Sequence, residues 1–438
     1  MIYHSLGKTK HYVSFKEAVI RGLAPDNSLY FPEKIHKIEK IIKNFPSQSI
    51  YSIAMEVIKP YIGPEDIPEK ILEEIIEDTL CFPLSLVKIH KEIYALELFH
   101  GPSMAFKDVG AIFMAGCLSY LRKEESKPLT VLVATSGDTG GAVAKGFHKI
   151  AGVEVVLIFP KGKISLFQEK QLTSVEDNIT SLEIEGTFDD CQKLVKEAFL
   201  DKDLQNKCAI TSANSINIAR WLPQILYYFI VYKNISPSSE VFFSIPSGNF
   251  GNLCAGLLAA KMGLPIKHFI AATNSNDTVN RFIKTGKYAP LPSKYTLSNA
   301  MDVADPSNFT RIWHLSDRSF SKLKEKLDTY SFTDEETICA IESIFNKNGY
   351  MLDPHGALGY LGLQKYFQEL KNSKDSMGIF LETAHPLKFT EKIPYDLQKQ
   401  IIIPEHLKKL LKSEKKSIRL PNNYPALKEH LLNRGLPM

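Results

Sequence analysis

Lys107 ends the run His100-Gly101-Pro102-Ser103-Met104-Ala105-Phe106 and stands at the mouth of an apolar segment. Far along the chain, Ser247-Gly248-Asn249-Phe250-Gly251-Asn252 joins a strand-like pattern to a helix-like one. The lysine offers a nitrogen that can condense with an aldehyde. The turn offers backbone amides and the positive end of a helix, both of which favour a phosphate. A phosphorylated aldehyde satisfies both groups at once, and pyridoxal phosphate is such a molecule.

Each signal also has a plainer explanation. A lysine before a helix is often merely solvated, and a glycine-rich turn can need its glycines for shape alone. Lys107, however, precedes VGAIFMAGCLSYL, whose Gly110, Ala111, Ala115 and Gly116 lie on a helix too apolar to be exposed. Burial and the helix dipole both lower the pKa of an ammonium there, toward the neutral amine that attack requires. Ser103 is placed to cap that helix. The glycine turn has neither the dinucleotide fingerprint nor the Gly-Lys-Ser/Thr of a Walker A loop, which disfavours a nucleotide.

Other polar groups cluster at the ends of apolar runs. Thr135-Ser136-Gly137-Asp138-Thr139-Gly140-Gly141 can hold a carboxylate or second anion, or can simply cap a helix. Asn214-Ser215-Ile216-Asn217-Ile218-Ala219-Arg220 supplies amides, a hydroxyl and a guanidinium suited to an oxyanion. Lys161 and Lys163 are a second cationic pair, with loop solvation as the simpler account. Thr383 follows the apolar run MGIFL, at a strand's carboxyl end where α/β ligands bind, and can face a cofactor's ring nitrogen. His355 and His385 lie beside prolines without partners at metal-ligand spacing, so each reads as a structural hydrogen bonder and no metal is expected.

The elements that carry these groups read as α/β. TVLVATSG, VEVVLIFP, SLEIEG, VFFSIP and HFIAATN are strands rich in Val, Ile and Leu, alternating with helices, which indicates parallel sheets covered on both faces. The expected architecture is two doubly wound domains with a cofactor cleft between them, plus an N-terminal scaffold segment. The scaffold covers 1–92, the large cofactor domain 93–127 and 205–400, a small mobile α/β domain 128–204, and a helical tail 401–438. The net charge of +4 over 438 residues gives no reason to expect nucleic acid or an acidic membrane. The six scattered cysteines read as buried reduced thiols. With no charged leader, and no apolar run near the ~20 residues that span a bilayer, a reducing cytosol is expected. The oligomeric state is left at monomer or homodimer.

The blocks SFKEAVIRGLAPDNSLYFP, ELFHGPSMAFKD, VATSGDTGGAVAKGF, PKGKIS, SANSINIAR, PSGNFGN, AATNSND, LSNAMDVADPSNF, DPHGALGY and TAHPLKF run nearly end to end. In them the chain resembles the threonine synthases, a branch of pyridoxal-phosphate enzymes related to tryptophan synthase β and cysteine synthase. The resemblance implies that Lys107 bonds the cofactor, Gly248, Asn249, Phe250, Gly251 and Asn252 hold its phosphate, and Thr383 meets the pyridine nitrogen. Ser136, Gly137, Asp138 and Thr139, with Ser215, Asn217 and Arg220, would surround the substrate's carboxylate and phosphate. The implied reaction turns O-phospho-L-homoserine and water into L-threonine and phosphate, by γ-elimination and addition of water at the β-carbon. Asp138 departs from the wider superfamily, where many relatives carry asparagine near the ring's phenolic oxygen; an ionised carboxylate cannot donate there. Two other readings compete. One is a serine or threonine dehydratase of the same architecture, against which the N-terminal segment and the PSNF and TAHP blocks weigh. The other is an inactive homologue that binds a phosphate metabolite, against which the presence of Lys107 weighs.

Overall fold

The computed structural model describes residues 1–125, 127–235, 240–370, 376–401, 403 and 405–433. Three short strands open the chain: β1 (Ile2–Ser5), β2 (Tyr12–Ser14) and β3 (Tyr30–Pro32), paired antiparallel in the order β2-β1-β3. There follow β4 (Ser85–His90), β5 (Ile93–Glu97), β6 (Leu129–Ala134), β7 (Val153–Pro160), β8 (Ile179–Ile184) and β9 (Ala209–Ser212). The remaining strands are β10 (Glu240–Pro246), β11 (Ile266–Thr273), β12 (Leu327–Ser331), β13 (Ser376–Glu382) and β14 (Ile418–Leu420). They build a larger sheet, β12-β11-β10-β13-β5-β4, and a smaller one, β14-β8-β7-β6-β9. Every pairing in these two sheets is parallel except β4 with β5.

Side chains alternate across a strand, so the central strands must find apolar cover on both faces. In β10, Val241, Phe243 and Ile245 join the main core while Phe242 faces the helix Pro354–Glu369. In β7, Val155, Leu157 and Phe159 join the main core while Val156 and Ile158 face the helix Phe188–Leu200. The predominantly apolar text of these strands follows directly from double coverage.

The helix Lys107–Leu121 packs between the helices Glu69–Thr79 and Asp138–Gly146. Its glycines make that approach possible. A Cβ on Gly110 would stand 2.6 Å from the Arg220 carbonyl oxygen, and one on Gly116 would stand 3.0 Å from the Ile75 side chain.

Some elements differ from the sequence expectation. β4 lies inside the segment read as N-terminal scaffold; in this partly exposed edge strand Val87 and Ile89 alternate with Lys88 and His90 over four residues only. β9 and β14 lie outside 128–204 yet pair in the smaller sheet, so the stretch read as a helical tail also contributes a strand. The apolar stretch from Ile218 to Tyr232, whose text reads as one long helix, is divided: Pro223 lacks an N–H, and the turn Leu222–Ile225 tightens to a 3₁₀ helix. All six cysteines are free, but Cys81 and Cys339 are exposed rather than buried. No helix among the described residues is long and apolar enough to cross a membrane.

The N-terminal segment is fastened to the rest by Arg311, which is 0 % exposed. Its guanidinium donates to Tyr30 O at 3.2 and 3.1 Å, Ser215 O at 3.0 Å, Ile216 O at 2.8 Å and Asn308 Oδ1 at 2.7 Å, and it lies over the Trp221 ring. All of these acceptors are neutral oxygens, so the charge is held by dipoles. Arg311→Met would strand several buried acceptors, each worth roughly 1–3 kcal/mol. It should lower unfolding stability in urea by about 3 kcal/mol or more. A loss below about 0.5 kcal/mol, the level of an ordinary surface change, would contradict this role.

Candidate active site

Lys107 is the first residue of its helix, and the chain leading into it is stitched to the end of β13. The Phe106 N–H donates to Thr383 O at 2.8 Å, the His385 N–H donates to Met104 O at 3.1 Å, and Ala105 and Ala384 form an antiparallel bridge. Lys107 and Thr383, far apart in sequence, are thereby held on adjoining backbone. Ser103 does not cap this helix, which starts four residues later. Its N–H instead donates to the buried Asp108 Oδ2 at 2.9 Å, and burial pushes that carboxyl up to about 6.

Lys107 keeps 17 % of its side chain exposed to the cleft, and its Nζ lies 3.3 Å from Asp138 Oδ2. Burial pulls its pKa below the ordinary lysine value; Asp138 opposes that fall, and Lys388 and Arg220 add to it. Asp138 opens the helix Asp138–Gly146 beyond β6. Burial alone would raise its pKa, but Lys388 and then Lys107 outweigh burial and hold the carboxyl well below the usual carboxylate range. Asp138 is therefore an anion in the cleft and accepts hydrogen bonds only.

The glycine turn leaves β10 and enters the helix Gly251–Lys261. Asn252 Nδ2 closes the turn onto Pro246 O at 2.9 Å, and Asn249 Oδ1 accepts from Ser307 Oγ at 3.2 Å. Both amide side chains thus shape the turn, leaving its backbone N–H groups to meet a ligand. Gly251 and Asn252 occupy the first two helical positions, whose amides have no intrahelical acceptor. Phe250 is buried at φ +59°, a left-handed conformation that costs a non-glycine residue on the order of 1 kcal/mol.

Arg220 is 4 % exposed, and its Nε and Nη1 have no hydrogen-bond partner. Burial lowers its pKa to about 10, which still leaves it cationic at neutral pH. A buried guanidinium with free donors on a cleft wall is a site for an anion.

These groups surround one cleft of about 890 Å³, open mouth included. Lys107, Ser136, Asp138, Thr139, Ser215, Arg220, Thr383 and the turn from Gly248 to Asn252 all line it. Gly137 and Asn217 do not. Gly137 takes φ +128° and gives its N–H to Thr135 Oγ1 at 2.9 Å. Asn217 caps the helix Ile218–Trp221 and donates to Val19 O at 2.9 Å, tying it to the N-terminal segment. Lys161 is spent on an exposed ion pair with Glu185 at 3.1 Å, and Lys163 lies nearer the mouth, beside Ser136 and Asn299.

Sequence reasoning missed two contributors, and a third group keeps the structural role expected of it. Lys388, wholly buried, meets Asp138 Oδ1 at 2.8 Å, and Gln168 Nε2 donates to the same oxygen at 2.9 Å. Lys388 lies within the quoted block TAHPLKF, but no spacing rule connects it to Asp138. His355 lines the cleft, with Nδ1 on Asp353 Oδ1 at 2.5 Å and Nε2 accepting from the Ala300 N–H at 3.3 Å. That pairing places its proton on Nδ1, a structural hydrogen-bonding role on the cleft wall.

Comparison with known proteins decides the family. The profile for pyridoxal-phosphate dependent enzymes matches residues 72–381, the threonine synthase N terminus matches 2–80, and the threonine synthase C-terminal region matches 357–431. The chain belongs to the threonine synthase family of pyridoxal-phosphate-dependent enzymes. It is 40 % identical to threonine synthase of Escherichia coli (strain K12), over 99 % of this chain and 100 % of the relative. The crystal structure of threonine synthase from Escherichia coli matches with a TM-score of 0.92 at 39 % identity, over 99 % and 100 % of the two chains. That of PLP-bound threonine synthase from Brucella melitensis matches with a TM-score of 0.90 at 31 % identity, over 100 % of both.

The residues present fit the family's cofactor. A half-hidden amine, a turn with free amides and a strand-end hydroxyl share one cleft. The closeness of the turn to its neighbour is itself testable. A Cβ on Gly248 would stand 2.9 Å from Met301 Cα and 3.1 Å from Ala300 O, both backbone atoms that cannot swing aside. Gly248→Ala should weaken retention of pyridoxal phosphate at least ~10-fold in equilibrium dialysis, with circular dichroism unchanged. Unaltered retention would remove this turn from the cofactor site.

Proposed function

We propose that this enzyme converts O-phospho-L-homoserine and water to L-threonine and phosphate. The observation that carries the reading is the convergence of Lys107, the unpartnered Arg220 guanidinium and the Gly248–Asn252 amides on one cleft. Such a site offers one amine and two separate places for anions, as a phosphorylated amino acid and a phosphorylated cofactor together require. A dehydratase needs no second phosphate place, and the family matches at both ends of the chain also favour the threonine synthase reading.

Lys107, the turn amides and Thr383 would hold pyridoxal phosphate, which when bound supplies an aldehyde for an amine and a conjugated ring that accepts electrons from Cα. Everything else falls to the chain. Lys107 Nζ, lowered in basicity by burial, takes up and returns protons at the substrate's carbons. Arg220 grips an oxyanion of the substrate, with Ser136, Thr139 and Ser215 adding hydroxyls along the same wall. The Thr383 hydroxyl, unlike a carboxylate, would leave a ring nitrogen unprotonated, which restrains the electron sink and discourages transamination. The division of the chain that accompanies this reading keeps the N-terminal scaffold as far as β4, which joins the larger sheet, and adds β9 and β14 to the unit built on 128–204. Closure of that unit over the cleft would exclude water from the proton transfers. Six free cysteines support a reducing compartment.

The test is a coupled assay on the purified, cofactor-loaded protein with O-phospho-L-homoserine. Phosphate and threonine should appear in equal amounts; a 2-oxo acid with ammonia instead would establish the dehydratase reading. Arg220→Met should raise KM for the phosphorylated substrate ~100-fold or more, since a charge-assisted pair contributes about 3 kcal/mol in a buried site. An unchanged KM would take Arg220 out of substrate binding.

A further inference from the structure

Lys388 has no part in the reading above, yet it is 0 % exposed and lies behind the residue that faces Lys107. It sits in the turn Pro386–Lys392, just beyond β13. Its Nζ donates to Ser103 O at 2.9 Å and to Asp138 Oδ1 at 2.8 Å. The two carboxylate oxygens are thus divided. Oδ1 is pinned by Lys388 and by Gln168 Nε2 at 2.9 Å, while Oδ2 is turned to Lys107 Nζ at 3.3 Å. A buried ion pair is weak evidence of stability, because desolvation offsets most of its attraction. Its position next to the reactive amine therefore calls for a functional account.

Resting on the function proposed above, we propose that Lys388 is a positioning residue: by pinning Oδ1 it fixes Asp138 as a permanent anion whose Oδ2 orients the Lys107 nitrogen. Without that cation, the burial of Asp138 favours its protonated form. A protonated Asp138 would donate to neutral Lys107 and occupy the lone pair that must take the substrate proton. The other charged or titratable groups nearby are His355 and Lys392, which interact with Asp138; Asp108 and His385, on which Lys388 acts; and Arg220, which acts on Lys107. Of these, Lys388 is the one in direct contact with Oδ1.

The test uses the loaded enzyme and two readouts between about pH 5.5 and 9: kcat/KM, and the visible absorbance of the cofactor bound at rest. Lys388→Gln retains an N–H donor and most of the volume but removes the charge, and Lys388→Met keeps the volume but removes both the donor and the charge. Both should gain an acidic limb in addition to the titration of the substrate's own phosphate at about pH 6, with kcat/KM falling a further ~10-fold per pH unit below it and the absorbance of the resting enzyme, read without substrate, titrating at the same midpoint. Lys388→Arg should retain the wild-type profile shape. The neutral pair Asp138→Asn with Lys388→Gln should be slow at all pH but lack the limb, and it remains informative if a single variant fails to fold. A Lys388→Gln profile parallel to the wild type would overturn the proposal, as would a limb that persists in the double variant. A wild-type enzyme that makes no threonine would instead sink the functional reading on which the proposal rests.

Discussion

A carboxylate in the cleft wall is held between two ammonium groups that come from the other side. Asp138 starts a helix on the smaller sheet, while Lys107 and Lys388 approach from segments stitched to β13 of the larger one. The clamp is electrostatic, lies almost out of water, and fixes where the reactive amine points. The architecture around it follows from the need to bring three chain segments, centred on residues 107, 138 and 388, to one place. Parallel sheets with polar strand ends achieve this, because their carboxyl termini can be aimed at a shared crevice.

The N-terminal segment supports the opposite wall. Arg311 binds carbonyls of Tyr30, Ser215 and Ile216, while Asn308 donates to Ser215 Oγ at 3.1 Å and its own N–H meets Asn249 O at 3.3 Å. The first sheet is therefore mechanically continuous with the turn read as the phosphate cradle. Asn217, expected among substrate ligands, does related work by tying its helix to Val19. A segment away from the cleft thus sets the geometry of a turn that lines it.

Much of this was legible in the sequence because local chemistry dictated it. The doubly covered strands announce themselves through unbroken Val, Ile and Leu, as in VEVVLIFP, and the strand-to-helix turns through glycine and hydroxyl residues at their ends. For that reason Lys107, Arg220 and the Gly248–Asn252 turn could be singled out, and all of them line the cleft. What escaped depended on contacts between distant segments. Lys388 and Gln168 reach Asp138 from far along the chain, and nothing in local pattern marks them. Gly137 and Asn217 lie off the cleft lining for the converse reason: their neighbours line it, while local turn and cap hydrogen bonds engage these two. Short edge strands such as β4 and β14 carry too few alternating residues, VKIH and IRL, to stand out from the text around them.

The central claim is that Lys107 is the nitrogen that carries pyridoxal phosphate. Borohydride reduction of the loaded protein, followed by proteolysis and mass spectrometry, tests it directly. The phosphopyridoxyl mass should appear on the peptide containing Lys107 and on that lysine alone. Its appearance on Lys388, or on any lysine outside the cleft, would contradict the account.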